Sequence, residues 1–183
     1  MIKPDSWIRR MAVEHGMIEP FADGEPRQGI ISYGLSSYGY DMRISQDFKI
    51  FSGEGSIDPK SVSADSFIDK TCEVLEMAPH SSALGRSVEY FRIPRDIITV
   101  SFGKSTYARC GVVVNITPFE PEWEGFVTVS IINTNSHPVK IYAGEGIAQV
   151  LFLGTDDVCE TSYADKKGKY QAQKSITISR VAR

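Results

Sequence analysis

A chain of 183 residues with 42% hydrophobic and 23% charged residues has the size and composition of one globular domain able to bury a real core. Its 20 Lys and Arg against 23 Asp and Glu leave a formal net charge of −3, which excludes the broad cationic face that a nucleic-acid polymer needs. A phosphate ligand would have to be met by a few local cations.

The chain opens with Asp5 or Ser6 as a helix cap, followed by Trp7, Ile8, Met11, Ala12 and Met17 near helical spacing and Gly16 as terminator, which predicts a helix over residues 5–15. After Pro20 the pattern changes to short strand-like runs bounded by Gly, Pro and Asp: 30–32, 40–44, 48–51 and 66–68. The polar segment 52–66 reads as a loop. Further strands are predicted at 72–77, 87–93, 97–102, 111–117, 125–133, 138–142 and 146–153, with one helical turn inserted at 105–110. Many short strands without alternating helices argue for a mainly β sandwich, jelly roll or related barrel with a short N-terminal helix, and against a parallel α/β sheet. No repeat, low-complexity tract or linker divides residues 1–183, so a single domain is expected.

Cys72, Cys110 and Cys159 are odd in number, far apart and match no metal spacing, and no apolar run has the length of a membrane span. A reduced, cytoplasmic protein with no membrane partner is expected. The first residues lack the apolar core of a signal peptide, so no cleavage is expected.

Two stretches suggest chemistry. Lys104, Ser105 and Arg109 supply an ammonium, a hydroxyl and a guanidinium within six residues, and a helical turn there would add free backbone N–H groups, a combination suited to phosphate. By composition alone the stretch better suits a solvated surface, and it is not a P-loop, because the Gly-x-x-x-x-Gly-Lys-Ser/Thr spacing is absent. Downstream, the turn Glu120-Pro121-Glu122-Trp123-Glu124-Gly125 releases a strand in which Phe126, Thr128 and Ser130 share one face and Val127, Val129 and Ile131 the other. The first face can look into a pocket, or can carry small residues with no further role. The basic run Lys166, Lys167, Lys169 and Lys174 reads by itself as a solvated charge cluster.

Together with Ser6–Met11, Ser36–Asp41, Glu89–Pro94, Gly103–Arg109, Gly146–Gln149 and Gly168–Gln173, these blocks resemble the dCTP deaminase family, which is related in fold to the trimeric dUTPases. The resemblance covers nearly the whole chain. It implies a dUTPase-like β-clip or jelly-roll-type barrel, and a homotrimer whose sites are built between subunits. It implies hydrolysis of dCTP to dUTP and ammonia on the route to dUMP and dTTP, with dTTP as an inhibitor. Lys104, Ser105, Thr106, Tyr107, Ala108 and Arg109 would then bind the phosphates and deoxyribose, with Glu120 also in contact with substrate. Thr128, Val129 and Ser130 would line the cytosine, and Gln149 would stand beside the nucleotide. Tyr163, Lys169 and Gln173, in a C-terminal segment from about residue 160 to 183, would close over the triphosphate. Mg²⁺ would be held by the nucleotide phosphates and not by a protein cage.

Deamination at cytosine C4 needs a base for water and a proton for the departing amine. Zinc deaminases use a His-x-Glu and Pro-Cys-x-x-Cys arrangement, and His15, His80 and His137 pair with no suitable cysteines, so a zinc-independent reaction is expected. The resemblance places a catalytic Glu at the position occupied by Ser130, and an unassisted hydroxyl is too weak a base for that task. Ser130 thus separates binding from chemistry. The other readings are a catalytically weak trimer that binds dCTP or dTTP, and a dUTPase-like diphosphatase, which the absence of a Gly-rich C-terminal segment disfavours. Two smaller departures from the family pattern are Lys174-Ser175, where a Gly is common, and Gly85-Arg86, where Ala-Arg is usual.

Overall fold

The computed structural model describes residues 1–24, 28–52 and 55–181. The first element, α1 (Asp5–His15), matches the predicted helix. Its cap differs: Pro4 occupies the N-cap position in extended backbone, and Asp5 lies inside the first turn, where a carboxylate is favoured by the helix dipole. Gly16 ends the helix in the left-handed region (φ 63°), its N–H donating to the Ala12 carbonyl. Ile8 and Ala12 are buried, and Trp7 packs against Phe152 with ring centroids 6.3 Å apart.

The strands in chain order are β1 (Ile18–Glu19), β2 (Gly34–Ser36), β3 (Gly39–Phe51), β4 (Phe67–Thr71), β5 (Val74–Met77), β6 (Ser82–Arg92) and β7 (Ile97–Gly103). A single turn, α2 (Ser105–Ala108), leads to β8 (Val112–Asn115), β9 (Glu124–Asn133), β10 (Val139–Tyr142) and β11 (Gly146–Gly154). The main sheet runs β7-β11-β3-β6-β9-β8, with β1 on β6 and β2 and β4 on β3, while β5 and β10 form a separate pair. Among the described residues the named strands all pair antiparallel, as in the mainly β barrel expected from the strand spacing. The two ends of the path approach at β7 and β8, where a Cβ built on Gly103 would stand 3.0 Å from the Val114 Cβ, so the barrel is nearly closed.

Two predicted strands, 40–44 and 48–51, are one strand, β3. The pairing with β6 shifts register between Ile44 and Phe48, so Ser45, Gln46 and Asp47 continue the strand through a bulge although they break the apolar alternation. Residues 30–32 form no strand. The Ile31 amide donates to the Glu145 carboxylate at 2.8 Å and its carbonyl accepts from Gly146 N–H, so a side chain replaces the ladder there. The predicted loop 52–66 ends in a 3₁₀ turn at Ala64–Ser66, and its Gly53 and Glu54 lie outside the described residues, as do the last two residues of the tail.

The core gathers Tyr40, Met42, Ile44, Phe48, Phe91, Val129, Ile131 and Phe152 inside the barrel. One charged node is buried with them. Glu89 accepts from Arg43 Nε at 2.6 Å, from the Arg43 amide at 3.0 Å and from the Tyr40 hydroxyl at 3.2 Å, and Arg43 also donates to the Pro20 carbonyl. Burial pushes the Glu89 carboxyl above its ordinary range, and the Arg43 charge and hydrogen bonds oppose that push. Gly85-Arg86 serves packing: the Arg86 guanidinium lies over the Phe126 ring at 4.6 Å and pairs with Asp47 at 3.0 Å. All three cysteines are unpaired, and among the described residues no helix is long and apolar enough to cross a membrane.

Candidate active site

Strand β9 alternates as its sequence dictates, with Val127, Val129 and Ile131 buried in the barrel and Phe126, Thr128 and Ser130 half-buried on the other face. Beside Thr128 opens a cavity of about 710 Å³. Its apolar wall includes Leu84, Phe119, Trp123 and the facing rings of Phe51 and Phe67, 4.6 Å apart. Its polar lining includes Glu120, Thr128, Tyr163, Lys169 and Gln173, which the sequence nominates, together with Thr117, Tyr170, Thr177 and Ser179, which it does not.

The tail reaches the cavity by backbone pairing. Tyr163 N–H donates to the Pro121 carbonyl, Ala172 N–H to Glu124 and Phe126 N–H to Gln173, each at 3.0 Å, and the Gln173 amide returns a bond to the Phe126 carbonyl at 2.9 Å. Trp123 Nε1 donates to the Tyr170 carbonyl at 2.9 Å, and the Tyr163 hydroxyl accepts from Tyr170 N–H at 3.0 Å. Gly168 is required for this turn, since a Cβ there would fall 2.1 Å from Tyr163 Cε1. Farther on, Thr177 N–H donates to the Thr128 hydroxyl at 3.2 Å, and Ser179 Oγ to the Pro59 carbonyl at 2.7 Å. At the cavity mouth the Lys169 ammonium donates to the Arg180 carbonyl at 2.6 Å and lies 4.9 Å from the centre of the Tyr170 ring.

The other nominated residues do not line the cavity: Val129 and Ser130 continue β9 beyond it, and Lys104–Arg109 and Gln149 lie elsewhere, with Lys104 and Gln149 brought together at Asp41. Lys104 donates to Asp41 at 2.7 Å and to Ser32 Oγ at 2.9 Å, with both members of the ion pair largely shielded. Gln149 lies opposite Asp41 in the β11–β3 register and donates to Ser36 Oγ at 3.0 Å. The second Asp41 oxygen is buried and has no hydrogen-bond partner. Ser105, Thr106, Ala108 and Arg109 are exposed on and after α2, whereas Tyr107 points into the core, where its hydroxyl accepts from Tyr142 N–H at 3.0 Å. Burial pushes the Tyr107 hydroxyl up to about 12. Asp41, Ser32 and Ser36 are not among the residues that the sequence singles out, and the Ser36–Asp41 block is the one signal it carries for them.

Ser130 stands two residues beyond Thr128 and opposite Leu84 on β6 and Asn115 on β8, so neither cross-strand neighbour supplies a carboxylate. Val129 turns its side chain into the core, leaving its backbone as the part available to a ligand. Of the three glutamates in the turn, Glu120 lines the cavity and approaches Lys166 at 3.5 Å. Glu122 is bound to Arg95 at 2.7 Å, and Glu124 stands 3.8 Å from Arg92, both outside the cavity lining.

Residues 2–155 match the family model described as dCTP deaminase-like. The chain is 60% identical over 185 residues to the dCTP deaminase of Chlamydia abortus, with 97% of each chain covered. It is also 60% identical over 183 residues to the dCTP deaminase of Methylococcus capsulatus, again with 97% of each covered. The crystal structure of 2'-deoxycytidine 5'-triphosphate deaminase from Agrobacterium tumefaciens is similar in fold, with a TM-score of 0.64 at 12% identity. That match covers 84% of this chain and 48% of the other, so the chain spans about half the length of that protein.

Proposed function

The chain belongs to the dCTP deaminase-like family, and from that membership we propose that it hydrolyses dCTP to dUTP and ammonia for pyrimidine deoxynucleotide synthesis. The observation that carries this reading is 60% identity to a dCTP deaminase sustained over 97% of the chain. In this reading Thr128, the Val129 backbone and Ser130 meet the cytosine, while Glu120, Tyr163, Lys169 and Gln173 hold the nucleotide from the cavity and tail.

Lys104 to Arg109 and Gln149 meet the phosphates and deoxyribose from a neighbouring copy. Their separation from the cavity on one chain supports a homotrimer with shared sites, as do the exposed apolar residues Phe102 and Val113 on the nearby strands β7 and β8. Mg²⁺ neutralises phosphate charge when it is bound with the nucleotide. Among the described residues no three His, Cys, Asp or Glu side chains cluster as a ligand set, which fits an ion carried by phosphate oxygens and water. The protein works in the cytoplasm, and dTTP, as a pyrimidine triphosphate of similar shape, competes for the site.

Deamination joins a water oxygen to C4 and breaks the C4–N4 bond; of the two water protons, one ends on N3 of the uracil and the other on the departing ammonia. Ser130 can orient that water by hydrogen bonding but cannot carry its proton near neutral pH. Turnover in this chain is accordingly slow, and Ser130→Glu raises it by about 10²- to 10⁴-fold. Incubation of the parent and variant with dCTP and Mg²⁺, resolving dUTP, dUMP, pyrophosphate and ammonia, tests this. No gain from Ser130→Glu refutes the assigned role of position 130, and dUMP with pyrophosphate marks a diphosphatase. Ser130 also favours a second reading, a trimer that binds dCTP or dTTP without useful turnover; calorimetric binding with no ammonia release from the parent marks that case.

A further inference from the structure

Arg95 lies in the short turn between β6 and β7, beside the turn that borders the cavity: Glu122 N–H donates to the Ile93 carbonyl at 3.0 Å and Ile93 N–H to Trp123 at 2.9 Å. Its guanidinium reaches two separate segments. One terminal nitrogen donates to the Glu122 carboxylate at 2.7 Å. The other donates to the Asp165 carboxylate at 2.8 Å, the Glu160 carbonyl at 3.0 Å and the Cys159 carbonyl at 3.3 Å. We infer that Arg95 is a positioning residue that seats the tail, holding Tyr163 and Lys169 at the cavity through Asp165.

The path from Arg95 to the cavity is short. Asp165 also accepts from Ser162 N–H at 2.9 Å, and its own N–H donates to Ser162 Oγ at 3.2 Å, a reciprocal pair that fixes the turn at whose start Tyr163 stands. Tyr163 then accepts the Tyr170 amide, which sets the neighbouring Lys169. At the other end, Glu122 adopts φ 61°, a left-handed conformation uncommon for a residue with a side chain. It is held there by Arg95 on its carboxylate and by the Gln171 side-chain amide on its carbonyl at 2.9 Å. One planar, forked cation therefore fixes both the cavity turn and the tail that docks on it, a task that the point charge of a lysine does not perform.

The side chains of Arg95, Glu122 and Asp165 are 35%, 37% and 45% exposed. Ion pairs this exposed are individually weak and screened by salt. A clasp built from them can open and close as a nucleotide enters and leaves. The consequence for turnover rests on the dCTP reading; the seating of the tail does not.

Hydrogen exchange on the full, nucleotide-free chain measures the seating directly. In Arg95→Met the amides of Tyr163, Gly168, Tyr170 and Ala172 exchange about tenfold faster or more, with β3 and β6 unchanged. Asp165→Asn reproduces part of that effect from the tail side, Arg95→Lys retains only part of the protection, and about 1 M salt accelerates the parent toward the variants. With dCTP, the same variants raise KM more than they lower kcat. Parent-like tail exchange in Arg95→Met overturns the inference, as does acceleration spread equally through β3 and β6, which would mark a general stability role. Unchanged KM alongside faster tail exchange overturns the claim that the seating serves the nucleotide. Absence of dCTP turnover in the parent counts against the dCTP reading and leaves exchange to decide the seating.

Discussion

The Arg43–Glu89 node inside the barrel and the Arg95–Asp165–Glu122 clasp at the tail use the same chemistry in opposite surroundings. In the first, the Glu89 side chain is fully buried and joins β3 to β6. In the second, the participating side chains are about a third or more exposed and join a loop to a segment that follows the last strand. A buried charge cannot be abandoned by its partner without a large penalty, whereas an exposed one is rescued by water. One chain thus combines a pair that water cannot rescue, in the wall, with a pair that it can, at the tail.

Breaking the buried member should cost the most. Arg43→Met leaves Glu89 without its cation and should lower unfolding free energy by about 3–5 kcal/mol, read from the midpoint of urea unfolding at constant slope. A loss below about 1 kcal/mol, the size typical of surface pairs, would erase the contrast between the two arginines. A smaller effect is expected at the tail. Gly168→Ala forces a Cβ against the Tyr163 ring and should weaken the docked turn by about 1–3 kcal/mol. Limited proteolysis should then cut the segment after residue 160 faster while the barrel keeps its unfolding midpoint. Loss of barrel stability in that variant would mean that tail and barrel unfold as one unit.

Much of the wall was legible in the sequence. Helix α1 and the strand alternation of β9 follow from local periodicity, and five of the nominated residues meet at one cavity. The continuity of β3 was not legible, because Ser45, Gln46 and Asp47 break the apolar pattern at a bulge that only cross-strand pairing defines. Residues 30–32 carry the apolar signal of a strand, yet the Glu145 carboxylate, 114 positions from Ile31, takes the backbone amide. Arg95 gave no signal of any kind. Its carboxylate partners lie 27 and 70 positions away, so a lone arginine in a turn gains meaning only when the barrel brings Glu122 and Asp165 to it. The Asp41–Lys104 pair was hidden for the same reason, with 63 positions between its members.

On the exposed side the pair also responds, weakly, to pH. Hydrogen bonds from the Ser162 amide and from Arg95 hold the Asp165 carboxyl below its ordinary 3.8. A carboxyl whose folded value is depressed contributes stability above its unfolded value and loses that contribution as pH falls through the folded value. Tail protection should therefore be flat from neutral pH down past the ordinary carboxyl range and fade only below 3.8. A carbon-13 titration of the Asp165 side chain checks this, and the midpoint should rise toward 3.8 in Arg95→Met. A parent midpoint at or above that value would mean that the clasp does not hold in solution. Because mild acid leaves the Arg95–Asp165 arm charged while salt screens it, added salt should loosen that arm at pH values where mild acid does not.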